Sequence, residues 1–249
     1  MYKFLLLLVA CLVLLPACKK PRRPPGPQEP LDLKPEQVSF DLQGLGSRLR
    51  GEVVPLVVGD PDAPPFMDGE PEHLRFAFDD DRLTGQGDQR ERQILVYPVA
   101  SYAGLFLGVE RMEFEKRVDL LATLVKNRPP RVAEPIHFFP STDTPQLFHG
   151  QIRYLEFTDG AGVRCIAHST SGPGKHAGDS LLYAFQGLTR NGKYLVCFYY
   201  PVTVQGFSSD GQPTEAARFL DGRRESDFTP DLAKLDGLVR SIRIRPASP

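Results

Sequence analysis

The sequence has no tryptophan, only three methionines and only four cysteines among 249 residues. No H-E-x-x-H and no paired C-x-x-C occurs, and the five histidines (His73, His137, His149, His168, His176) are scattered. The spacings that build zinc sites are therefore missing. Asp79-Asp80-Asp81 lacks the alternate spacing and closing glutamate of a calcium loop. No G-x-S-x-G elbow is present. Positive charge is also short: from Pro24 onward 25 basic residues face 31 acidic ones. Phosphate binding needs a basic face, so no nucleic-acid partner is expected. No internal repeat is visible.

A long apolar run is missing too. FLLLLVACLVLL from Phe4 is about a dozen residues long, and a spanning helix needs about 20. A short apolar run after Lys3 has the anatomy of a secretory signal. Leu15-Pro16-Ala17-Cys18 then resembles a lipobox, the motif read by bacterial lipoprotein enzymes. Leu8-Val9-Ala10-Cys11 has the same pattern but leaves too short an apolar run before it. In lipobox proteins the cysteine receives a diacylglyceryl group and becomes the new N-terminus, so Cys18 is the expected site of lipidation. Each buried acyl CH₂ contributes about 0.8 kcal/mol, so two or three chains anchor durably.

Residues 19–37 read KKPRRPPGPQEPLDLKPEQ. Proline-rich chain is extended and packs no core. Lys19, Lys20, Arg22 and Arg23 lie beside the lipidated position, where each adds about 1 kcal/mol of attraction to anionic headgroups. The expected organisation is a signal peptide over 1–17, a tether over 18–37 and one globular domain over 38–249. About 210 residues suffice for one good core. Its aromatic packing comes from 16 Phe and 8 Tyr.

The body begins with strand-like segments at 38–43, 49–58, 73–79 and 93–99, separated by Gly, Pro and Asp. The period changes at 110–127. Phe114, Val118, Leu121 and Val125 align on one face, and Leu120 and Leu124 widen it, so a helix is expected. Pro129-Pro130 stops it. Four antiparallel strands follow at 151–158, 162–170, 180–188 and 193–204, with Asp159-Gly160 and Asn191-Gly192 as hairpin turns. KYLVCFYYPVTV (193–204) is apolar in both alternating sets, so both its faces should be covered. A short helix is expected at 214–220. A last one is expected at 230–242, capped by Thr229 with Pro230 in the first turn and a stripe of Leu232, Leu235, Val239 and Ile242. The sum is an α+β fold: a largely antiparallel sheet backed by two amphipathic helices.

YAFQGLTRNGKYLVCFYYPV (183–202) resembles a segment of uncharacterised bacterial lipoproteins, in which Phe-Gln-Gly-Leu-Thr precedes Asp/Asn-Gly-Lys-Tyr. QILVYPVASY (93–102), GEVVP (51–55) and PDLAKLDGLVRSI (230–242) are similar to the same group. The resemblance implies an exported bacterial protein with a shared fold. It implies no activity. Cys165 and Cys197 stand where that group has Tyr and a small residue, so a disulfide would not be a general trait of it.

Chemistry-bearing residues are few. The loop 169–180, STSGPGKHAGDS, fails as a phosphate loop, because Gly174-Lys175 is followed by His176. An envelope hydrolase would have to use Ser169, Ser171 or Ser180 with His168 or His176 and Asp179, although nearness in sequence does not make a triad. Tyr183, Phe185, Tyr194 and Tyr199 are candidate ligand-stacking residues, with Phe198 and Tyr200 in the same aromatic set. Export into an oxidising compartment favours a Cys165–Cys197 disulfide. A sequential meander opposes it: two strand spacings are roughly 9–10 Å, and a disulfide needs less than about 7 Å. Either the strand order is not sequential or both are buried thiols.

These readings converge on a lipid-anchored bacterial envelope lipoprotein, expected to be a non-enzymatic binding or interaction module. Its partners would be the membrane through its anchor and an envelope protein or small ligand. No cofactor and no metal are expected. Lys19 rather than Asp after Cys18 favours the outer membrane of a Gram-negative cell, by the sorting rule of lipoproteins. The alternative is the hydrolase of the 168–180 loop.

Overall fold

Two hairpins and a doubly apolar strand organise the domain. In the computed structural model, residues 30–46, 49–58, 69–78, 92–140, 146–169, 181–208 and 212–245 are described. The signal peptide, Cys18 and the tether up to residue 29 lie outside the described residues, as does the loop 170–180.

In chain order the strands and helices are β1 (Val38–Ser39), β2 (Leu49–Val54), β3 (His73–Phe78), β4 (Gln93–Pro98), α1 (Val99–Gly104), α2 (Val109–Asn127), β5 (Gln146–Phe157), β6 (Gly160–Ser169), β7 (Leu181–Thr189), β8 (Tyr194–Val204), α3 (Pro213–Asp221), β9 (Phe228–Thr229), α4 (Leu232–Ser241) and β10 (Arg243–Ile244). The main sheet is antiparallel throughout, with order β2-β3-β4-β8-β7-β6-β5, and β9 also pairs with β8. The fold is α+β, as the alternating periods predict. The four-strand meander from β5 to β8 is sequential.

β8 lies at the centre, with β7 on one side and β4 along Tyr194–Pro98 to Tyr199–Gln93 on the other. Its even-numbered side chains Tyr194, Val196, Phe198 and Tyr200 enter one core with α3, α4 and β10. Leu195, Cys197 and Tyr199 enter a second core with α1, α2 and the chain around Phe139. Both faces are thus covered. Pro201 falls between the β4 and β9 stretches of pairing, where a missing N–H costs no ladder bond on that edge.

The turns divide into two cases. Gly192 has φ 69° and supplies the left-handed residue of the β7–β8 turn. Gly160 is demanded by crowding instead: a Cβ there would stand 2.2 Å from the Leu188 carbonyl oxygen.

Several boundaries differ from the sequence expectation. The segment 30–37 belongs to the domain and not to the tether. Leu33 is buried, the Leu31 N–H donates to Glu72 Oε2 at 2.9 Å, and Asp32 holds Lys193 and the Tyr194 hydroxyl. Burial alone would raise the Asp32 carboxyl, but those two donors hold it below its usual range. Proline content hid two leucine anchors. The expected strand 38–43 shrinks to β1, which pairs with β10 far from the main sheet order. α4 is capped by Asp231, whose carboxylate accepts from the Ala233 N–H at 2.8 Å; Thr229 pairs within the sheet as part of β9. In α2, Phe114 and Leu121 are buried while Leu120 is half exposed, so the apolar stripe is narrower than expected.

Candidate functional site

The four candidate ligand-stacking residues do not share a surface. Tyr183, Phe185 and Tyr194 are buried in the core under α4, and Tyr199 is buried in the core under α2. None is more than 1% exposed, so no ring face is left for a ligand. The parity of β8 explains it, since Tyr194 and Tyr199 are an odd number of residues apart.

Cys165 and Cys197 are free thiols. They lie on β6 and β8 with β7 between them, opposite Ala184 and Gln186. Burial pushes the Cys165 thiol up to about 12 and raises Cys197 further. Thiols held protonated this way are poor nucleophiles. The disulfide is therefore absent in this geometry, and the meander is the reason.

His168 is buried on β6, stacked on Phe148 at 5.3 Å and edge-on to Phe207 at 6.1 Å. The Ser169 side chain, Ser171, His176, Asp179 and Ser180 lie outside the described residues. Among the described residues no three His, Cys, Asp or Glu side chains gather as a metal site.

Two buried polar clusters do form. The first joins β6 to α4. Arg164, 1% exposed, donates from Nε to Asp236 Oδ1 and from Nη2 to Oδ2, both at 3.1 Å. Its Nη2 also donates to Glu225 at 2.9 Å and its Nη1 to the Gln151 carbonyl at 2.5 Å. The Tyr183 hydroxyl donates to Asp236 at 2.9 Å. Arg153 bonds Glu225 and stands 3.4 Å from Asp236. Burial alone would lower the Arg164 guanidinium, yet the Asp236 charge and hydrogen bonds hold it above its usual value. The Tyr183 hydroxyl is raised well above its usual range, by burial first and then by Asp236.

A β-bulge makes this arrangement possible. Between Gly150 and Arg153 the register of β5 against β6 shifts, and Gln151 takes φ 57°. A non-glycine residue there is strained. It is held by its N–H to Asp221 at 2.6 Å and its side-chain amide to the Leu220 and Arg223 carbonyls. The bulge turns the Gln151 carbonyl toward Arg164. Its outer rim is a shallow polar basin of about 540 Å³ with Arg153, Arg223, Arg224 and Glu225 among its walls.

The second cluster closes the start of β3 against the end of β4. Glu70 Oε2 accepts from the Tyr97 hydroxyl at 2.6 Å and lies 3.5 Å from His73 Nε2. His73 Nδ1 is 2.8 Å from the Pro71 carbonyl. A carbonyl only accepts, so Nδ1 carries the proton and neutral His73 keeps Nε2 bare. The ring lies 4.4 Å from that of Tyr97. Burial lowers His73 to about 4 and raises Glu70, partly opposed by the Tyr97 hydrogen bond. At neutral pH the imidazole is therefore uncharged.

The two shifts act in opposite directions on stability. His73 contributes stability that is full above its unfolded value of 6.5 and is lost as pH falls through about 4. Glu70 contributes stability that is present below 4.5 and is lost as pH rises through its raised folded value. The His73 shift dominates between pH 6.5 and 4 and corresponds to about 3 kcal/mol. His73→Asn keeps a donor for Pro71 and removes the titration. Urea midpoints from pH 7 to 4 are expected to fall less steeply in the variant. Parallel slopes in the two proteins would contradict the assignment.

Neither cluster is visible as a grouping in the sequence. One signal was present: Asp236 sits on the apolar face of α4, between Leu232, Leu235 and Val239. Arg164 likewise interrupts an apolar strand. The Glu70–His73–Tyr97 grouping leaves no such trace, because it depends on how separate segments close. No family model, no curated protein and no solved structure matches the chain.

Proposed function

We propose that the protein is a lipid-anchored bacterial envelope lipoprotein whose globular domain is a non-enzymatic binding or interaction module. The lipobox ending at Cys18 carries the anchoring half of this reading. The early start of the domain supports it. The Leu31 N–H is held by Glu72 and Leu33 is already buried, so no more than residues 19–30 lie between Cys18 and a residue bound to the domain. Extended chain spans at most about 3.6 Å per residue, so the step from Cys18 to Leu31 reaches no more than about 47 Å. The domain stays close to the surface that holds it, next to four basic residues that favour anionic headgroups. No helix among the described residues is long and apolar enough to cross a membrane.

The two polar clusters support the non-enzymatic half. Arg164, Asp236 and Tyr183 are bonded to one another, and the His73 Nδ1 proton is committed to Pro71. These groups are spent on joining elements of the fold. Buried charge that is fully paired specifies packing more readily than it serves a substrate.

Metabolic labelling with an alkyne analogue of palmitate tests the anchor. The wild-type chain is expected to incorporate label and to sediment with membranes, and Cys18→Ala to lose both. Undiminished label in Cys18→Ala would overturn the reading.

A further inference from the structure

A groove of about 430 Å³ runs between the C-terminal half of α2 and the ends of β6 and β7. Its helix wall is Ala122, Val125 and Lys126, and its sheet wall includes Ala161, Leu188 and Arg190. Small residues leave the space. Ala122 and Ala161 add only methyl groups to its two walls.

The charges at the rim are unequal. Among the described residues, neither Lys126 nor Arg190 is joined to an acidic side chain. Glu156, the one acidic side chain in the lining among the described residues, is bound by Arg128 at 2.7 Å. That pairing, with Arg190 nearby, holds the Glu156 carboxyl below its usual range. The helix C-terminus adds a partial negative charge, and the Arg128 and Lys126 side chains stand at that same end to offset it. The groove therefore offers an apolar floor from Val125 and Leu188, closed by two cations that form no ion pair among the described residues, Arg190 acting on Glu156 only through space.

We propose that this groove binds a small amphiphilic anion: an aliphatic chain laid on Val125 and Leu188, with its carboxylate between Lys126 and Arg190. The size falls within the range of small-molecule sites. A neutral apolar ligand would leave both cations unused, and a cationic one would meet repulsion. The proposal rests on reading the domain as a binding module and names its ligand class. It does not depend on acylation of Cys18, so the two can fail separately.

Isothermal titration of the full-length protein, as purified, with octanoate tests it. Saturable binding at one site per chain is expected. The double variant Lys126→Glu, Arg190→Glu should weaken it at least tenfold, and Ala122→Phe, which fills the groove from its helix wall, should weaken it also. Both changes lie at exposed positions, and matching circular dichroism spectra and melting curves confirm that the fold is kept. If the double reversal unfolds, Lys126→Gln, Arg190→Gln takes its place. Octyltrimethylammonium, with the same chain and opposite charge, should not displace octanoate. Absence of saturable binding, equal affinity in the charge variants, or equal competition by the cation would each overturn the proposal.

Discussion

Replacing Asp236 by alanine lowers the stability of the domain by about 3–5 kcal/mol, the usual cost of stranding one partner of a buried ion pair. Arg164 would keep its charge at 1% exposure with only the partly exposed Glu225 and a carbonyl to answer it. The Tyr183 hydroxyl would lose its acceptor as well. Urea unfolding followed by circular dichroism reads the change as a lower midpoint. The triple change Asp236→Leu, Arg164→Met, Tyr183→Phe removes the stranded groups together and should recover most of the loss. If Asp236→Ala melted like wild type, the cluster would be open to water and the pairing described here would be wrong. If the triple change were worse than the single one, the network itself would be the stabilising element.

Leu235→Asp is expected to cost at least as much. Leu235 is completely buried in the core that α4 shares with the sheet. A carboxylate there has no partner, and burying an unpaired charge ranks among the largest single-residue effects. Leu121→Asp places the same insult on the opposite face, where α2 covers the second core. Leu121 is 6% exposed, so its aspartate can reach water at the helix edge and the loss should be smaller, about 2–3 kcal/mol. Thermal melting of both variants checks the order. Equal, unchanged melting temperatures would mean that neither helix is packed on the sheet.

Much of this architecture was legible because it rests on period and turn chemistry. The stripe of α2, the hairpins of the meander and the double apolarity of β8 are local patterns with a direct physical reading. Elements whose existence depends on distant partners were not legible. β9 and β10 are two residues each and exist only through β8 and β1. α1 is six residues of VASYAG, too short to show a period. Residues 31–33 look like the end of a linker until Glu72 and Lys193 are brought to them. The candidate site fared worse. The aromatic residues were abundant for the reason most are, to fill two cores. The alternation of β8 already separated Tyr199 from Tyr194. The groove beside α2 is defined by what its side chains do not fill, and a missing volume has no signature in sequence.

The seam between the two ends of the domain bears on how the chain folds. Val38 pairs with Ile244, and the Asp41 N–H donates to Ser241 across 200 residues of chain. Pairings this distant raise contact order and cost loop-closure entropy before they return any stability. Phe40 can meet Phe76 early, but Val38 and Ser39 find their strand partners only in Ile244 and Arg243. The β5–β8 meander, built from neighbours in sequence, can form first. The β1–β10 seam then closes after the meander, so the joining of these two distant segments is a late step rather than the nucleus of folding.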